Sequence, residues 1–215
     1  MYGLYAFQRI SYFFLFTILI SCADLERIPK DLSQNLPNPV EEITDNDPYK
    51  IGLRWYSSGE FEIARKFWNP LAEKGDCDSQ FALGLLYYTG RGVKKDFKKA
   101  IYYWSKAANQ GQLQAQCAMG IAYGYLEIPY TVFSCGRGCG TEKNLIESYM
   151  WFKIIDERGY GSGRVCGDNG LEKISGQLSS MQILSAEELS KNWRIGRKFC
   201  KSRNTVISLK RNIYN

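Results

Sequence analysis

The sequence contains no histidine among its 215 residues. Histidine is the commonest general base and the commonest metal ligand in proteins, so its absence argues against a serine triad and against a zinc site that activates water. The Ser-x-x-Lys and Lys-Thr-Gly motifs of serine β-lactamases are also missing. The residues that hydrolases usually depend on are therefore absent, and we expect no catalytic residue, no metal and no cofactor.

Charge of one sign is nearly absent from two parts of the chain, although the net charge is only +6. Residues 24–47 carry seven carboxylates against two cations, Arg27 and Lys30. The carboxyl-terminal tail has the opposite charge, because it is basic. A basic tail predicts contact with phosphates or anionic lipid, and the alternative is a solvated helix face that leads into a frayed terminus. No carboxylate follows Glu188, and the cations of the tail are Lys191, Arg194, Arg197, Lys198, Lys201, Arg203, Lys210 and Arg211.

The amino terminus has the pattern of an export signal. Residues 10–20 form an apolar run behind a single cation, Arg9. This run is too short to cross about 30 Å of hydrocarbon as a helix, but it is typical of a signal-peptide core. The residues Leu19-Ile20-Ser21-Cys22 resemble the bacterial lipobox. That resemblance implies a signal peptide over residues 1–21 and a lipid anchor on Cys22; the alternative is an ordinary cleaved signal.

The residues that follow Cys22 bear on the destination of the protein. By resemblance to bacterial lipoproteins, an aspartate directly after the cysteine favours retention in the inner membrane. Ala23 occupies that position and Asp24 comes next, so we expect an outer-membrane lipoprotein that faces the periplasm or the surface. Residues 22–48 are polar and acidic and hold four of the six prolines, which predicts a flexible tether between membrane and domain.

One sequence unit occurs three times between residues 49 and 160. Each copy has a front half with apolar residues at helical spacing around a glycine, and a back half with a small residue, an aromatic residue and a closing glycine. This pattern predicts a helix, a turn and a second helix in every copy. The residues that define the repeat are Gly52, Ala64, Trp68 and Gly75 in the first copy, Gly84, Ala100, Trp104 and Gly111 in the second, and Gly120, Ser148, Phe152 and Gly159 in the third.

The recurring glycine of the front half predicts a close contact between helices. A glycine inside a helix costs about 1 kcal/mol relative to alanine, so its recurrence at one place indicates that a neighbouring helix approaches there. The small residues Ala64, Ala100 and Ser148 are expected on the opposite side of that contact. The closing glycines stand where helix ends favour a left-handed residue.

The second copy carries a family resemblance. Residues 83–100, followed by Trp104, Ala107-Ala108 and Gly111, resemble a Sel1-like repeat almost position for position. The resemblance implies an all-α fold: a short α/α superhelical solenoid of Sel1-like and tetratricopeptide-like repeats. The first copy is closer to the tetratricopeptide type, and the third carries an insertion at residues 126–144.

Residues 161–215 are expected to close the array. Residues 160–182 are rich in glycine and serine, which predicts irregular structure with at most one short helix. A capping helix is predicted over residues 183–201, because Ser185-Ala186-Glu187-Glu188 is typical of a capped helix start. In that helix Leu189, Trp193 and Cys200 would share one face.

Six cysteines remain after Cys22, and six thiols allow 15 pairings. Cys135 and Cys139 are separated by a glycine-rich loop, so we predict a bridge between them. Cys166 and Cys200 flank the capping region and form the second predicted bridge. Cys117 aligns with Phe81 and is interpreted as a core residue, with a bridge to Cys77 as the alternative.

The family resemblance implies a scaffold that binds a protein partner on the concave face lined by the first helices. Neither a nucleic acid nor a small-molecule substrate is expected. Two alternatives stay open: activity on β-lactams, as described for some cysteine-rich Sel1-like proteins, and binding of peptidoglycan or a host surface through the insertion and the basic tail. The predicted partner-binding residues are Tyr49, Leu53, Tyr56, Phe81, Leu85, Tyr88, Ile121 and Tyr125.

Overall fold

The chain divides into two units, Met1–Thr44 and Asp45–Asn215. A computed structural model describes residues 46–127, 133, 135, 139–158, 162–193 and 200, all of them in the second unit. The signal peptide, Cys22, Gly159, most of the tether and most of the basic tail lie outside the described residues, so the predictions made for them stay predictions.

The described residues form eight α-helices and no β-sheet, which confirms the all-α solenoid. None of these helices combines the length and the apolar character needed to cross a membrane. Six helices make three antiparallel pairs, and two more follow. Their bounds are α1 Pro48–Ser57, α2 Phe61–Glu73, α3 Cys77–Thr89, α4 Phe97–Asn109, α5 Leu113–Gly124, α6 Leu145–Arg158, α7 Ser162–Ser175 and α8 Ser180–Asn192.

Polar side chains cap the first helices of the second and third repeats. The Asp76 carboxylate accepts the Ser79 N–H at 2.8 Å at the start of α3. The Gln112 side chain accepts the Ala115 N–H at 2.7 Å at the start of α5. Such bonds satisfy backbone donors that have no partner inside the helix.

Glycines with left-handed backbone close two of the repeats, as predicted. Gly75 has φ 90° and Gly111 has φ 85°. The array therefore turns at the expected positions after α2 and after α4. Gly90, with φ 76°, plays the same part in the turn between α3 and α4.

The three aromatic residues of the back halves share one interior, which confirms that the copies are structurally equivalent. Trp68, Trp104 and Phe152 are all fully buried. The Trp68 indole N–H donates to the Tyr49 carbonyl at 3.2 Å, and the Trp104 indole N–H donates to the Phe81 carbonyl at 3.3 Å. The same bond thus joins the two helices of the first and second pairs.

The recurring glycines lie directly under these rings. A Cβ atom at Gly52 or Gly84 would overlap the indole of Trp68 or Trp104, and a Cβ at Gly120 would lie 2.7 Å from Cε1 of Phe152. The predicted close approach is therefore confirmed, and the approaching group is the aromatic ring of the paired helix. In the third pair the Ser148 hydroxyl donates to the Gly120 carbonyl at 2.6 Å.

Consecutive pairs are joined by a repeated glutamine bond. The Gln80 amide donates to the Ala72 carbonyl at 3.0 Å, and the Gln116 amide donates to the Ala108 carbonyl at 3.2 Å. Both bonds are buried, and each satisfies a carbonyl near the end of one pair from the first turns of the next. The array therefore keeps one register across both junctions.

The prediction of irregular structure over residues 160–182 is wrong. Residues 162–175 form the 14-residue helix α7, which packs on α6 and α5. A Cβ at Gly170 would overlap the ring of Phe152, and a Cβ at Gly167 would lie 3.1 Å from the Phe152 carbonyl oxygen. The glycines therefore allow α7 to pack closely on α6, and this packing outweighs their low helix propensity.

The capping helix starts and ends earlier than predicted. Its capping box is formed by Ser179 and Gln182, so α8 begins at Ser180 and ends at Asn192. Leu189 is 43% exposed, whereas Trp193 meets Trp151 edge to face at 6.0 Å. The single helical face proposed for Leu189, Trp193 and Cys200 is therefore wrong.

Three disulfides are present, and the pairing differs in part from the prediction. The Cys135–Cys139 bridge is confirmed. The predicted Cys166–Cys200 bridge and the alternative Cys77–Cys117 bridge are wrong, because the pairs are Cys77–Cys200 and Cys117–Cys166. Packing of α7 against α5 brings Cys166 to Cys117. Cys200 is joined to Cys77 at the start of α3, and its N–H donates to the carbonyl of Gln110, at the end of α4, at 2.9 Å.

Candidate functional site

Five of the eight predicted partner-binding residues are core residues, so their assignment to an open binding face is wrong. Their side chains are turned toward the paired helix; for example, the Tyr49 and Tyr56 rings lie 6.1 Å and 5.7 Å from the ring of Trp68. A buried side chain is already in contact with its own chain and cannot anchor a partner. The five residues are Tyr49, Tyr56, Phe81, Leu85 and Ile121.

The other three predicted residues are half-buried. The Tyr88 ring lies 5.3 Å from the Trp104 ring, and the Tyr125 hydroxyl donates to the Thr141 carbonyl at 2.7 Å. Leu53 packs against the core. These side chains hold the array together, so the predicted surface is not an open groove.

A residue of the insertion covers this face from within the chain. The Phe133 ring is buried and lies 5.0 Å from Trp104, 5.9 Å from Tyr88 and 6.1 Å from Phe81. Edge-to-face contacts of this kind stabilise aromatic clusters. Phe133 therefore fills the space between α3 and α4 that the sequence assigned to a partner.

A different set of aromatic residues lies on the outside of the second repeat. The Tyr87 and Tyr103 rings stack with centroids 5.7 Å apart, and Tyr102 meets Tyr103 edge to face at 5.2 Å. Tyr102 is 52% exposed. Together with two lysines this set forms the surface that we call the tyrosine–lysine surface: Tyr87, Lys99, Tyr102, Tyr103 and Lys106.

The two lysines are held against the rings. The Lys99 ammonium lies 5.2 Å from the centre of the Tyr87 ring. The Lys106 ammonium lies 4.3 Å from the centre of the Tyr102 ring and donates to its hydroxyl at 2.5 Å. Cation–π contacts at exposed sites contribute about 0.5–1 kcal/mol each and restrict the lysine rotamers. The surface is therefore partly ordered before any partner arrives.

The Tyr103 phenol carries no negative charge near neutral pH. Burial raises the pKa of Tyr103, and the neighbouring Tyr87 and Tyr102 raise it further, against a smaller opposing effect of Lys106. The phenol therefore keeps its proton at neutral pH, and it does not offset the charge of the lysines. The result is an aromatic surface with a positive potential.

The sequence contains a signal for this surface that the repeat analysis missed. The buried residues of α4 are Ala100, Trp104, Ala107 and Ala108, and Tyr102 falls on the opposite side of the helix. Tyr102 adjoins Tyr103, and an exposed cluster of aromatic residues suggests a binding role, whereas a single exposed one does not.

The described residues include one cluster with the composition of a metal site: Cys77, Asp78 and Cys200. Cys77 and Cys200 are joined in a disulfide, so neither sulfur is a thiolate ligand. The cluster is therefore explained by the bridge.

The stacked helix pairs and the contacts that recur in them define a helical-repeat protein built from helix–turn–helix units. The model of the Sel1 repeat family matches residues 77–112 and 132–154. Over these residues the chain resembles the Sel1 repeat family. Arrays of this kind generally mediate binding between proteins.

Two solved structures are similar to the chain. One is a protective antigen present in uropathogenic Escherichia coli strains that displays an SLR fold; it is 26% identical, with a TM-score of 0.58, over 68% of this chain and 29% of that chain. The other is a Sel1 repeat protein from Oxalobacter formigenes, 23% identical, with a TM-score of 0.49, over 70% of this chain and 55% of that chain. The chain thus spans less than a third of the first protein. No curated protein matches the sequence.

Three disulfides in a chain of this size indicate an exported protein. Disulfides persist in oxidising compartments and are rare in the cytosol, where thiols are kept reduced. Two of the bridges also join distant parts of the array, because Cys77–Cys200 spans 123 residues and Cys117–Cys166 spans 49.

Proposed function

We propose that the chain is a lipid-anchored scaffold of the bacterial envelope that binds a protein partner on its tyrosine–lysine surface. The observation that carries the proposal is the exposed Tyr102 ring, which lies in an ordered aromatic cluster. Tyrosine anchors interfaces because it covers a large area with little loss of rotamer entropy. The inward face supports such a role less well, because Phe133 occupies it.

Replacing Tyr102 by alanine is expected to weaken partner binding about 30-fold, which corresponds to the loss of about 2 kcal/mol at an interface anchor. The partner is first captured in intact cells by a photo-crosslinking amino acid at position 109, an exposed position on the same face of α4 as Tyr102. The affinity of that partner for the wild-type protein and for Tyr102→Ala is then measured. Thermal unfolding should be nearly unchanged, because Tyr102 is largely exposed.

Met181→Ala is the matched control for Tyr102→Ala. Met181 is 76% exposed and lies on α8, so the substitution also removes a large exposed side chain. We expect wild-type affinity from this variant. Undiminished binding by Tyr102→Ala, or no crosslink at position 109, would reject the tyrosine–lysine surface as the partner site.

The lipid anchor is supported by the lipobox resemblance of Leu19-Ile20-Ser21-Cys22 and by the exported character that the disulfides indicate. Each buried methylene of an acyl chain contributes about 0.8 kcal/mol, so several chains make membrane attachment effectively permanent. Ala23 after the cysteine supports delivery to the outer membrane.

Replacing Cys22 by serine is expected to abolish incorporation of labelled fatty acid and to move most of the protein from the membrane fraction to the soluble fraction. Cell fractionation and metabolic labelling check both results. Ser21→Ala is the control, since it keeps the cysteine and a small residue before it. The anchor assignment fails if the serine variant still sediments with membranes in amounts equal to the wild type.

A further inference from the structure

We infer that the partner of the tyrosine–lysine surface presents an acidic helix, which lies along α4 with carboxylates about two turns apart. The inference rests on the proposed function and adds the chemistry of the partner. Its basis is the charge of the second repeat, the spacing of the two lysines and the exposed ring between them.

The loop before α4 and α4 itself are strongly basic, although the Glu73 carboxylate of α2 lies close enough to Tyr103 to raise its pKa. Asp96 is the single carboxylate between residues 79 and 126, and that carboxylate already lies 4.0 Å from the Lys99 ammonium. Charges within about 10 Å of one another act together at physiological salt. The region therefore attracts negative groups, and its cations are Arg91, Lys94, Lys95, Lys98, Lys99 and Lys106.

The spacing of the two lysines on α4 selects the shape of the partner. Lys99, Tyr102 and Lys106 follow one another at intervals of three and four residues, so they lie on one face of the helix. At about 1.5 Å per residue, the two lysine positions are about 10 Å apart along the axis. Two carboxylates seven residues apart on a second helix have the same separation.

The exposed ring between the lysines supplies the apolar part of the contact. A partner helix with carboxylates at positions i and i+7 carries the residue at i+3 or i+4 on the same face. An apolar side chain at that position would rest on Tyr102, which is 52% exposed. The lysines would flank this contact and add charge-assisted bonds at its rim.

A single phosphate group fits this arrangement less well. Phosphate sites collect several donors around one point. Here the Lys99 ammonium lies over Tyr87 and the Lys106 ammonium over Tyr102, so the two cations are directed to separate positions. The separate positions of the two ammonium groups fit two carboxylates held at a fixed spacing on a helix.

The test uses the full chain with Cys22→Ser, which stays soluble without detergent if the anchor assignment holds and is otherwise kept in mild detergent. The probe is a labelled synthetic helix with glutamates at i and i+7 and leucine at i+3; a second peptide has lysine in place of both glutamates. Fluorescence anisotropy should show binding of the acidic peptide and at least ~10-fold weaker binding of the basic peptide. Raising the salt from about 50 mM to about 300 mM should weaken the acidic complex.

The double variant Lys99→Glu, Lys106→Glu is expected to bind the acidic peptide at least ~10-fold more weakly. Lys94→Glu, Lys95→Glu is the matched control, because it changes the net charge equally but alters lysines of the loop before α4, where the Lys95 ammonium lies over Phe97. The control should lose less than ~3-fold. Equal losses from both variants, or no binding of the acidic peptide, would overturn the inference.

Two further outcomes separate this inference from the proposed function and from a lipid site. If Tyr102→Ala weakens the crosslinked native partner while Lys99→Glu, Lys106→Glu and added salt do not, the partner site stands and the acidic helix is rejected. Vesicles of phosphatidylglycerol should bind the wild type and the Lys99→Glu, Lys106→Glu variant equally weakly. Strong, lysine-dependent vesicle binding in place of peptide binding would overturn the inference in favour of a membrane surface.

Discussion

Replacing Cys77 and Cys200 together by serine should destabilise the repeat domain by about 4–5 kcal/mol, the largest effect expected for any of its disulfides. The bridge closes a loop of 123 residues, and the entropy that a crosslink removes from the unfolded chain grows with the length of the loop. The bridge also joins the start of α3 to a backbone segment that is bonded to Gln110. Its loss therefore removes the covalent link between Cys200 and the start of α3.

Thermal unfolding followed by circular dichroism measures this effect. For a domain of this size, about 4–5 kcal/mol corresponds to a midpoint about 10–15 °C lower. Cys135→Ser with Cys139→Ser is the matched comparison, because this bridge spans only four residues and should contribute about 2 kcal/mol. An equal or larger loss from the short bridge would contradict the loop-entropy explanation.

Replacing Gly84 by alanine should destabilise the domain by about 3 kcal/mol, the upper end of the usual cost of overpacking a core. The added Cβ would overlap Cδ1 and Nε1 of Trp104. That indole is fully buried and donates to the Phe81 carbonyl, so the ring cannot shift without losing its bond. Alanine would otherwise be favoured over glycine in a helix by about 1 kcal/mol, which the clash outweighs.

Gly176→Ala is the control for Gly84→Ala. A Cβ at Gly176 meets nothing within 4 Å, so the substitution should change stability by less than about 0.5 kcal/mol or raise it slightly. Chemical unfolding of both variants gives the comparison. A Gly84→Ala protein as stable as the wild type would mean that the ring contact repeated in the three pairs is not required for packing.

The repeat could be predicted because it depends on short-range pattern. Gly84 and Trp104 have counterparts in the other two copies, and each copy repeats the contact between its glycine and its aromatic ring. Three copies of one pattern are stronger evidence for that contact than a single copy would be. Helix ends at Gly75 and Gly111 were equally predictable, since a left-handed residue there needs only the local backbone.

The partner surface could not be predicted in the same way. Tyr56 and Tyr102 are both aromatic residues in helices of the repeats, yet one is buried against Trp68 and the other is exposed. Which side of each helix faces outward is set by the packing of neighbouring pairs. Phe133 also occupies the inward face, and a contact between an insertion and helices more than 25 residues earlier leaves no periodic signal.

Sequence alone therefore determined the helical hairpins, their equivalence and the residues under the rings, because each hairpin is specified by residues close to one another in the chain. Tertiary structure decided the pairing of Cys77 with Cys200 and of Cys117 with Cys166, the helical state of the glycine-rich α7 and the face left open to a partner. These features depend on which distant segments pack together, and the free energy of such contacts outweighs local propensity.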